Sequence, residues 1–357
     1  MICARLLRHG NPVRRARLIY ARSLRHGDPV RRTRLFDACS LHHGNPVRRA
    51  RLLDIRSLRR SNPVKQTRLF DARALLLAAF LFVGCDTTPR PAAGELPERA
   101  ERIVTLAPHL AELVFAAGAG DRLVGVSAYS DYPPAVRELP VVGDAFAIDL
   151  ERLRLLQPDL LLVWSTGMPA KTIDELVNAG FPVLQIHTIG LEDVASALRR
   201  IGEITGSSER AGQVAAAFEA DLAELAASYG DRDRLRVFYQ VSARPLYTIN
   251  EAHYISGLIR ICGGRNVFED LGELAPTVDV EAVIARDPEV LLAPYAGGED
   301  PFSVWDRWPS INANRYGSRF RLPVDELGRA TPRLVAGGEA VCKALATARQ
   351  QRRATSQ

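Results

Sequence analysis

Short runs of β-branched and leucine residues alternate with stretches of helical spacing from Arg102 onward. The first apolar runs cover 103–107, 123–127, 160–164 and 182–187. Neighbouring parallel strands need a crossover connection, which is usually a helix packed on the sheet. The alternation therefore predicts an α/β fold in which helices cover central parallel sheets.

One predicted helix is much longer than the others. Residues 208–229 begin with a serine suited to a helix N-cap, and an apolar stripe runs through them at spacings of three and four. At 1.5 Å per residue this helix is about 33 Å long, the width of a domain. We therefore expect residues 208–230 to join an N-terminal lobe at 102–207 to a C-terminal lobe at 231–349, with a tail at 350–357.

Two parts of the chain match at a constant offset of 130 residues. The first copy is Asp149-Leu-Glu151 followed by the apolar run 158–163, and the second is Asp279-Val-Glu281 followed by 288–293. In each copy an acid early in a helix precedes a buried strand. We therefore predict two similar Rossmann-like lobes with a ligand cleft between them.

A 17-residue unit repeats through residues 1–73 without an insertion. Because this period matches no common solenoid, we interpret the segment as a tandem DNA repeat translated upstream of the true start. The alternative is a basic arm that binds nucleic acid or acidic lipid. Residues 1–73 hold 19 Lys and Arg against 4 Asp, a net charge of +15, whereas the other residues sum to −9. The body of the chain is acidic, so we expect no nucleic-acid partner.

An uncharged apolar run at 74–84 leads into Cys85. It is too short to span a bilayer but has the length of a signal-peptide core. Residues 81–85, Leu-Phe-Val-Gly-Cys, look like a bacterial lipobox, and the polar, proline-rich residues 86–101 suit a tether. We therefore expect a periplasmic lipoprotein held at the inner membrane by a lipidated Cys85. The alternative for 74–85 is a buried hydrophobic helix.

Residues 86–357 contain no phosphate-binding loop, nucleophile elbow, His-Glu-x-x-His or Cys-x-x-Cys motif. This absence disfavours catalysis, so we expect neither an enzyme nor a cofactor. His109, His187 and His253 are candidate ligands, since three imidazoles from two lobes could bind zinc or manganese. The alternative is that each histidine only forms structural hydrogen bonds.

Several aromatic residues lie in or beside loops that follow predicted strands: Tyr129, Tyr132, Trp164, Tyr247 and Tyr254. Open α/β sheets bind ligands at this edge. Flat rings there suit a large, flat, partly apolar ligand, although ordinary core packing is the alternative for each ring.

Glu151 and Glu281 occupy matching positions near the N-termini of two predicted helices. An anion is favourable there, so helix capping is one interpretation. Matching acids also suit a symmetric partner that presents the same basic pocket twice. A catalytic carboxylate pair is a third interpretation, and it requires both side chains to lie inside the cleft with raised pKa values.

Cys262 and Cys342 are the only cysteines after Cys85. Exported proteins usually pair two such residues. We therefore predict one disulfide within the second lobe.

Taken together, the chain from about 102 to 348 resembles the periplasmic cobalamin-binding proteins of ABC importers, within the wider group that binds siderophores, haem and cobalamin. The run Val-Ser-Ala-Tyr-Ser-Asp-Tyr-Pro-Pro at 126–134 is the most telling part for cobalamin. Other matching pieces are Arg102-Ile-Val-Thr-Leu-Ala-Pro108, Leu150-Glu-Arg152 with Pro158-Asp159, Cys262-Gly-Gly-Arg-Asn266, and Asp325 to Arg329 leading into Ala330-Thr-Pro-Arg333.

The resemblance implies a monomer that captures cobalamin or a related corrinoid and delivers it to an ABC permease dimer in the inner membrane. A ferric siderophore or haem is the alternative cargo, and zinc or manganese is a less favoured one. The resemblance also implies that Tyr129, Trp164 and Tyr247 line the cleft around the corrin ring. The segment that would close over one side consists of Asp325, Glu326, Leu327, Gly328 and Arg329.

The same resemblance implies a rigid linking helix, a Cys262–Cys342 disulfide, and docking of the permease by Glu151 and Glu281. The chain departs from the best-known members of the group at a few of these positions. Glu326 and Leu327 replace aromatic residues, Ala145-Phe146 stand near a tryptophan position, and Tyr247 replaces a phenylalanine.

Overall fold

The computed structural model describes residues 94–357. The repeat at 1–73, the predicted signal core and predicted lipidation site Cys85 at 74–85, and the first part of the predicted tether lie outside the described residues. Within 94–357, no helix has the length and apolar character needed to cross a membrane.

The first sheet contains four parallel strands, in the order β2-β1-β3-β4. The strands are β1 (Ile103–Thr105), β2 (Leu123–Val126), β3 (Leu160–Trp164) and β4 (Val183–Ile186). The helices of this lobe are α1 (Pro108–Ala116), α2 (Leu150–Leu156), α3 (Ala170–Asn178) and α4 (Leu191–Thr205). Residues 160–163 of β3 are fully buried because helices pack on both faces of the sheet.

The long helix α5 (Ser208–Tyr229) follows α4 directly. It packs on α4 through a close approach at Gly202, where any Cβ would collide with the side chain of Ala211. Glycine at this position therefore allows the two helix backbones to lie close together.

The second sheet is also parallel, with the order β10-β9-β5-β8, and a short antiparallel hairpin lies beside it. The strands of the four-stranded sheet are β5 (Leu235–Tyr239), β8 (Gly264–Asn266), β9 (Val290–Tyr295) and β10 (Arg319–Pro323). The hairpin strands are β6 (Ser242–Ala243) and β7 (Leu246–Tyr247). The helices of this second lobe are α6 (Tyr254–Ile261), α7 (Val280–Arg286), α8 (Asn312–Arg315), α9 (Val324–Leu327) and α10 (Leu334–Thr355).

The two lobes repeat one arrangement, since β8-β5-β9-β10 follows the same connectivity as β2-β1-β3-β4. Helices α2 and α7 are equivalent in detail. Asp149 Oδ1 accepts a hydrogen bond from the backbone N–H of Arg152 at 2.9 Å, and Asp279 Oδ1 accepts one from Ala282 at 2.7 Å. The predicted α/β fold with two parallel sheets is confirmed.

The C-terminal helix differs from the prediction of a tail at 350–357, because α10 continues to Thr355. Polar side chains hold its last turns against the lobe. Arg349 is buried and donates to the backbone carbonyls of Cys262 and Gly263 at 3.0 and 2.8 Å. Arg352 forms an ion pair with Glu289 at 3.1 Å. These contacts extend the helix beyond the end of its apolar pattern.

The predicted disulfide is present between Cys262, at the end of α6, and Cys342 in α10. Both cysteines are fully buried. The bond therefore ties α10 to α6, the first helix after β5 in the second lobe.

Candidate functional site

A cavity of about 170 Å³ lies between the two sheets, at the carboxyl ends of their strands. Its lining comes from both lobes: Pro108, His109, Trp164, Thr188, Tyr254, Gly328, Arg329 and Ala330. The first four follow or end strands of the first sheet, and the last three follow β10 and α9. Open α/β sheets bind ligands at this edge, so this cavity is the candidate site.

One wall of the cavity consists of two rings in edge-to-face contact. The centroids of His109 and Trp164 lie 5.0 Å apart at an interplanar angle of 80°. Thr188 Oγ1 lies 3.4 Å from His109 Nε2. The indole Nε1 of Trp164 is buried and has no hydrogen-bond partner within residues 94–357. This wall therefore combines aromatic surface with uncharged hydrogen-bonding groups.

Burial, and secondarily the positive charge of Arg329, lowers the pKa of His109 to about 3. The imidazole is consequently neutral at physiological pH. It can donate or accept one hydrogen bond at the cavity wall but brings no charge to it.

The opposite side of the cavity is closed by Arg329, which joins the two lobes. Its Nη1 lies 2.6 Å from both Glu112 Oε1 and Asp131 Oδ1, and its Nη2 donates to the carbonyl of Tyr129 at 3.0 Å. Glu112 projects from α1, and only 3% of its side chain is exposed. Arg329 thus pairs with a buried carboxylate of the other lobe.

Arg333 adds a second set of contacts between the lobes. Its Nη1 lies 3.5 Å from Glu112 Oε1, and its Nη2 lies 3.6 Å from Glu326 Oε1. Its guanidinium also lies 4.3 Å from the ring centre of Tyr132, a distance typical of a cation–π contact. The segment after β10 is therefore attached to the first lobe at two points.

The predicted ligand-binding residues occupy different places. Trp164, Gly328 and Arg329 line the cavity. Tyr129 is 64% exposed and contacts Arg329 through its carbonyl, and its backbone has φ of 67°, an uncommon conformation for a tyrosine. Tyr247 lies on the hairpin strand β7 and is not among the residues that line the cavity.

The residues of the α9 segment differ in their exposure. Asp325 is exposed, and Glu326 pairs with Arg333. Leu327, which we expected to face the ligand, is fully buried in the hydrophobic core beneath Gly337. The packing of Leu327 in the core attaches the four-residue helix α9 to the lobe. Only its carbonyl lies near the site, where it accepts a hydrogen bond from the Tyr254 hydroxyl at 3.1 Å.

Glu151 and Glu281 lie in the first turns of α2 and α7, where both are exposed. Neither residue lines the cavity between the lobes. This placement does not meet the requirement of the catalytic-pair interpretation, which needs both carboxylates inside the cleft.

The three histidines do not come together. His187 is exposed and its Nδ1 lies 2.6 Å from Ser165 Oγ, whereas His253 Nδ1 accepts a hydrogen bond from the backbone N–H of Ile255 and caps α6. Residues 94–357 hold no cluster of three or more His, Cys, Asp or Glu side chains suited to a metal ion. The arrangement required for a zinc or manganese carrier is therefore missing from the described part of the chain.

Sequence reasoning missed Glu112, Asp131 and Arg333 as site residues. Glu112 offered one signal, because it is the only charged residue in the nine-residue helix α1 and lies one turn after His109. Asp131 and Arg333 are polar residues in loop-like sequence, and only their contacts with the other lobe distinguish them.

The neutral state of His109 predicts a pH-dependent stability. The unfolded chain binds a proton on this histidine near pH 6.5, whereas the folded chain binds it only near pH 3. The contribution of the neutral His109 to the free energy of unfolding is therefore fully present above pH 6.5 and is lost as the pH drops. We expect about 2 kcal/mol less unfolding free energy at pH 5 than at pH 6.5 from this group alone.

Urea denaturation across this pH range checks the prediction. His109→Gln should reduce the pH dependence, whereas His187→Gln at the exposed position should leave it unchanged. Equal pH dependence in wild type and His109→Gln would contradict the assignment.

Comparisons with known proteins identify the family of the chain. A family described as "Periplasmic binding protein" matches residues 103–301. The vitamin B12-binding protein of Vibrio cholerae serotype O1 is 34% identical over 281 residues, covering 78% of this chain and 98% of the relative. The corresponding protein of Vibrio parahaemolyticus is 35% identical over 256 residues, covering 71% and 93%.

Solved structures give the same result. The periplasmic vitamin B12-binding protein BtuF of Vibrio cholerae matches with a TM-score of 0.65 at 34% identity, covering 71% of this chain and 99% of that one. A periplasmic haem-binding protein from Pseudomonas aeruginosa matches with a TM-score of 0.59 at 25% identity, covering 69% and 92%. The resemblance found in the sequence is confirmed, and the chain belongs to the periplasmic binding protein family.

Proposed function

We propose that this protein captures cobalamin or a related corrinoid outside the cytoplasm and delivers it to an ABC permease, without catalysing a reaction. The observation that carries the proposal is the cavity between the lobes, whose wall presents an indole ring and uncharged hydrogen-bonding groups. Relatives that match over nearly their whole length are named vitamin B12-binding proteins, which supports this cargo.

The cavity is too small to enclose a corrinoid, because ligand pockets for much smaller molecules are about 300–1,000 Å³. It therefore receives one edge or side arm of the ligand, and the corrin ring lies above it. A carbonyl oxygen of a peripheral amide would satisfy the buried Nε1 of Trp164. His109 and Thr188 offer further uncharged partners.

Two exposed rings would cover the face of the corrin. Tyr129 and Phe146 are 64% and 74% exposed, unusually high values for large apolar side chains. Their loops are adjacent, since the backbone N–H of Ala128 donates to the carbonyl of Gly143 at 2.7 Å. Asp144 Oδ1 accepts hydrogen bonds from the backbone N–H groups of Phe146 and Ala147, which fixes the turn that presents Phe146.

Calorimetric titration with cyanocobalamin tests the cargo, with haem, a ferric siderophore and zinc as comparators. We expect a one-to-one complex with a dissociation constant of about 1 µM or tighter, which is about −8 kcal/mol. If the protein binds a comparator but not cyanocobalamin, the proposed cargo is wrong and the comparator indicates the actual class of ligand. No response to any of the four would overturn the proposed function.

We propose that lipidation of Cys85 holds the protein at the inner membrane, where the permease lies. The polar residues after Cys85 are of the length and composition of a tether. Mass spectrometry of the N-terminal peptide from membrane fractions tests this, and an unmodified Cys85 in the mature protein would exclude it.

Glu151 and Glu281 are proposed to dock on the permease, because they are exposed and equivalent in the two lobes. Replacing both by alanine should abolish corrinoid uptake by cells and leave cyanocobalamin affinity unchanged. Glu175→Ala on the exposed surface of α3 is the control. Normal uptake by the double variant would contradict this role.

A further inference from the structure

Five charged side chains meet where the two lobes touch beside the cavity. Arg329 pairs with Glu112 and Asp131, and Arg333 lies near Glu112 and Glu326. Two guanidinium groups thus face three carboxylates, and the group carries a net charge of −1. No cation in this group is free of a carboxylate partner.

Glu112 is the central member of the group. Its Oε1 serves both arginines, at 2.6 Å from Arg329 and 3.5 Å from Arg333. Only 3% of its side chain is exposed, so water screens its charge poorly. Its Oε2 is buried and has no hydrogen-bond partner among residues 94–357.

A ligand carboxylate at this place would have to displace Glu112 or Asp131 from Arg329. It would also meet the excess negative charge of the group, and like charges in a poorly screened site repel strongly. A ligand carboxamide meets neither obstacle, because it is uncharged and can accept from or donate to groups that remain in place.

The large tetrapyrrole ligands of this family differ in this respect. Haem carries two propionate groups, whereas the periphery of cobalamin carries carboxamides. Resting on the proposed function, we propose that Glu112 is a specificity-determining residue: it neutralises Arg329 and Arg333, so that the cleft accepts a tetrapyrrole with amide side arms and rejects one with carboxylates.

The test is a titration of the full-length protein with haemin, followed by the Soret absorbance, beside calorimetry with cyanocobalamin. Wild type should bind haemin at least about 100-fold more weakly than cyanocobalamin, a difference of about two tenfold steps. Glu112→Gln keeps the shape of the side chain and removes its charge. It should tighten haemin binding about tenfold or more and alter cyanocobalamin affinity less.

Glu219→Gln is the matched control, because Glu219 forms a bidentate pair with Arg199 at 2.8 and 2.7 Å on the exposed faces of α5 and α4. It should leave haemin affinity unchanged. Asp131→Asn is a second test variant, at a loop side chain that is 53% exposed, and it should give a smaller gain in haemin affinity.

Haemin binding by wild type as tight as cyanocobalamin binding would overturn the inference. A folded Glu112→Gln protein with unchanged haemin affinity would also overturn it. If Glu112→Gln does not fold, unchanged haemin affinity in Asp131→Asn would overturn it instead. If the wild type does not bind cyanocobalamin but Glu112→Gln gains haemin affinity, the cargo proposal fails and the role of Glu112 stands.

Discussion

Replacing Arg329 with methionine should lower the free energy of unfolding by about 3 kcal/mol, the low end of the cost of breaking a buried ion pair. The substitution leaves the buried carboxylate of Glu112 with Arg333, 3.5 Å away, as its remaining cation. It also removes a contact that joins the two lobes. Urea denaturation followed by circular dichroism measures the change.

Two further variants separate this effect from simple loss of a surface charge. Arg199→Met breaks an exposed ion pair with Glu219 and should cost less than about 1 kcal/mol. The double variant Arg329→Met with Glu112→Leu removes the buried charge as well, so most of the lost stability should return. A cost for Arg329→Met no larger than that of Arg199→Met would contradict the expectation.

Removing the disulfide should have a still larger effect. The bond between Cys262 and Cys342 closes a loop with a sequence separation of 80 residues. In the chain-entropy model, a loop of this size stabilises the folded state by roughly 4 kcal/mol. The Cys262→Ala and Cys342→Ala double variant should therefore unfold at a clearly lower urea concentration than the oxidised wild type.

Reduction provides the internal control for this prediction. Dithiothreitol should lower the unfolding midpoint of wild type towards that of the double variant and leave the variant itself unchanged. If the oxidised wild type and the double variant unfold at the same urea concentration, the bond does not stabilise the protein.

The fold could be predicted from the sequence because buried parallel strands are continuous apolar runs. The run at 160–163 shows this, as it is fully buried between helices on both faces of the sheet. The end of the last helix could not be predicted in this way. Arg349 ends the predicted lobe and Arg352 lies in the predicted tail, yet their contacts with backbone carbonyls and with Glu289 continue α10 to Thr355.

The candidate site was predicted in part. Trp164 and Arg329, which the family pattern marks, line the cavity, whereas the burial of Leu327 could not be predicted from a helix of four residues. Glu112 stands out in the sequence only as the one charged residue of α1, and this does not identify its partner. That partner, Arg329, is 217 residues away in the sequence, so no local pattern reports the contact.

The equivalence of α2 and α7 has a further consequence for the proposed encounter with a permease dimer. One chain carries both acidic contacts, so once the first is made the second forms at a high effective concentration. Each contact can then have a low affinity on its own, while the two contacts together bind the permease tightly. Loss of either glutamate should therefore weaken the complex nearly as much as loss of both, and a permease could release the emptied protein by separating a single contact.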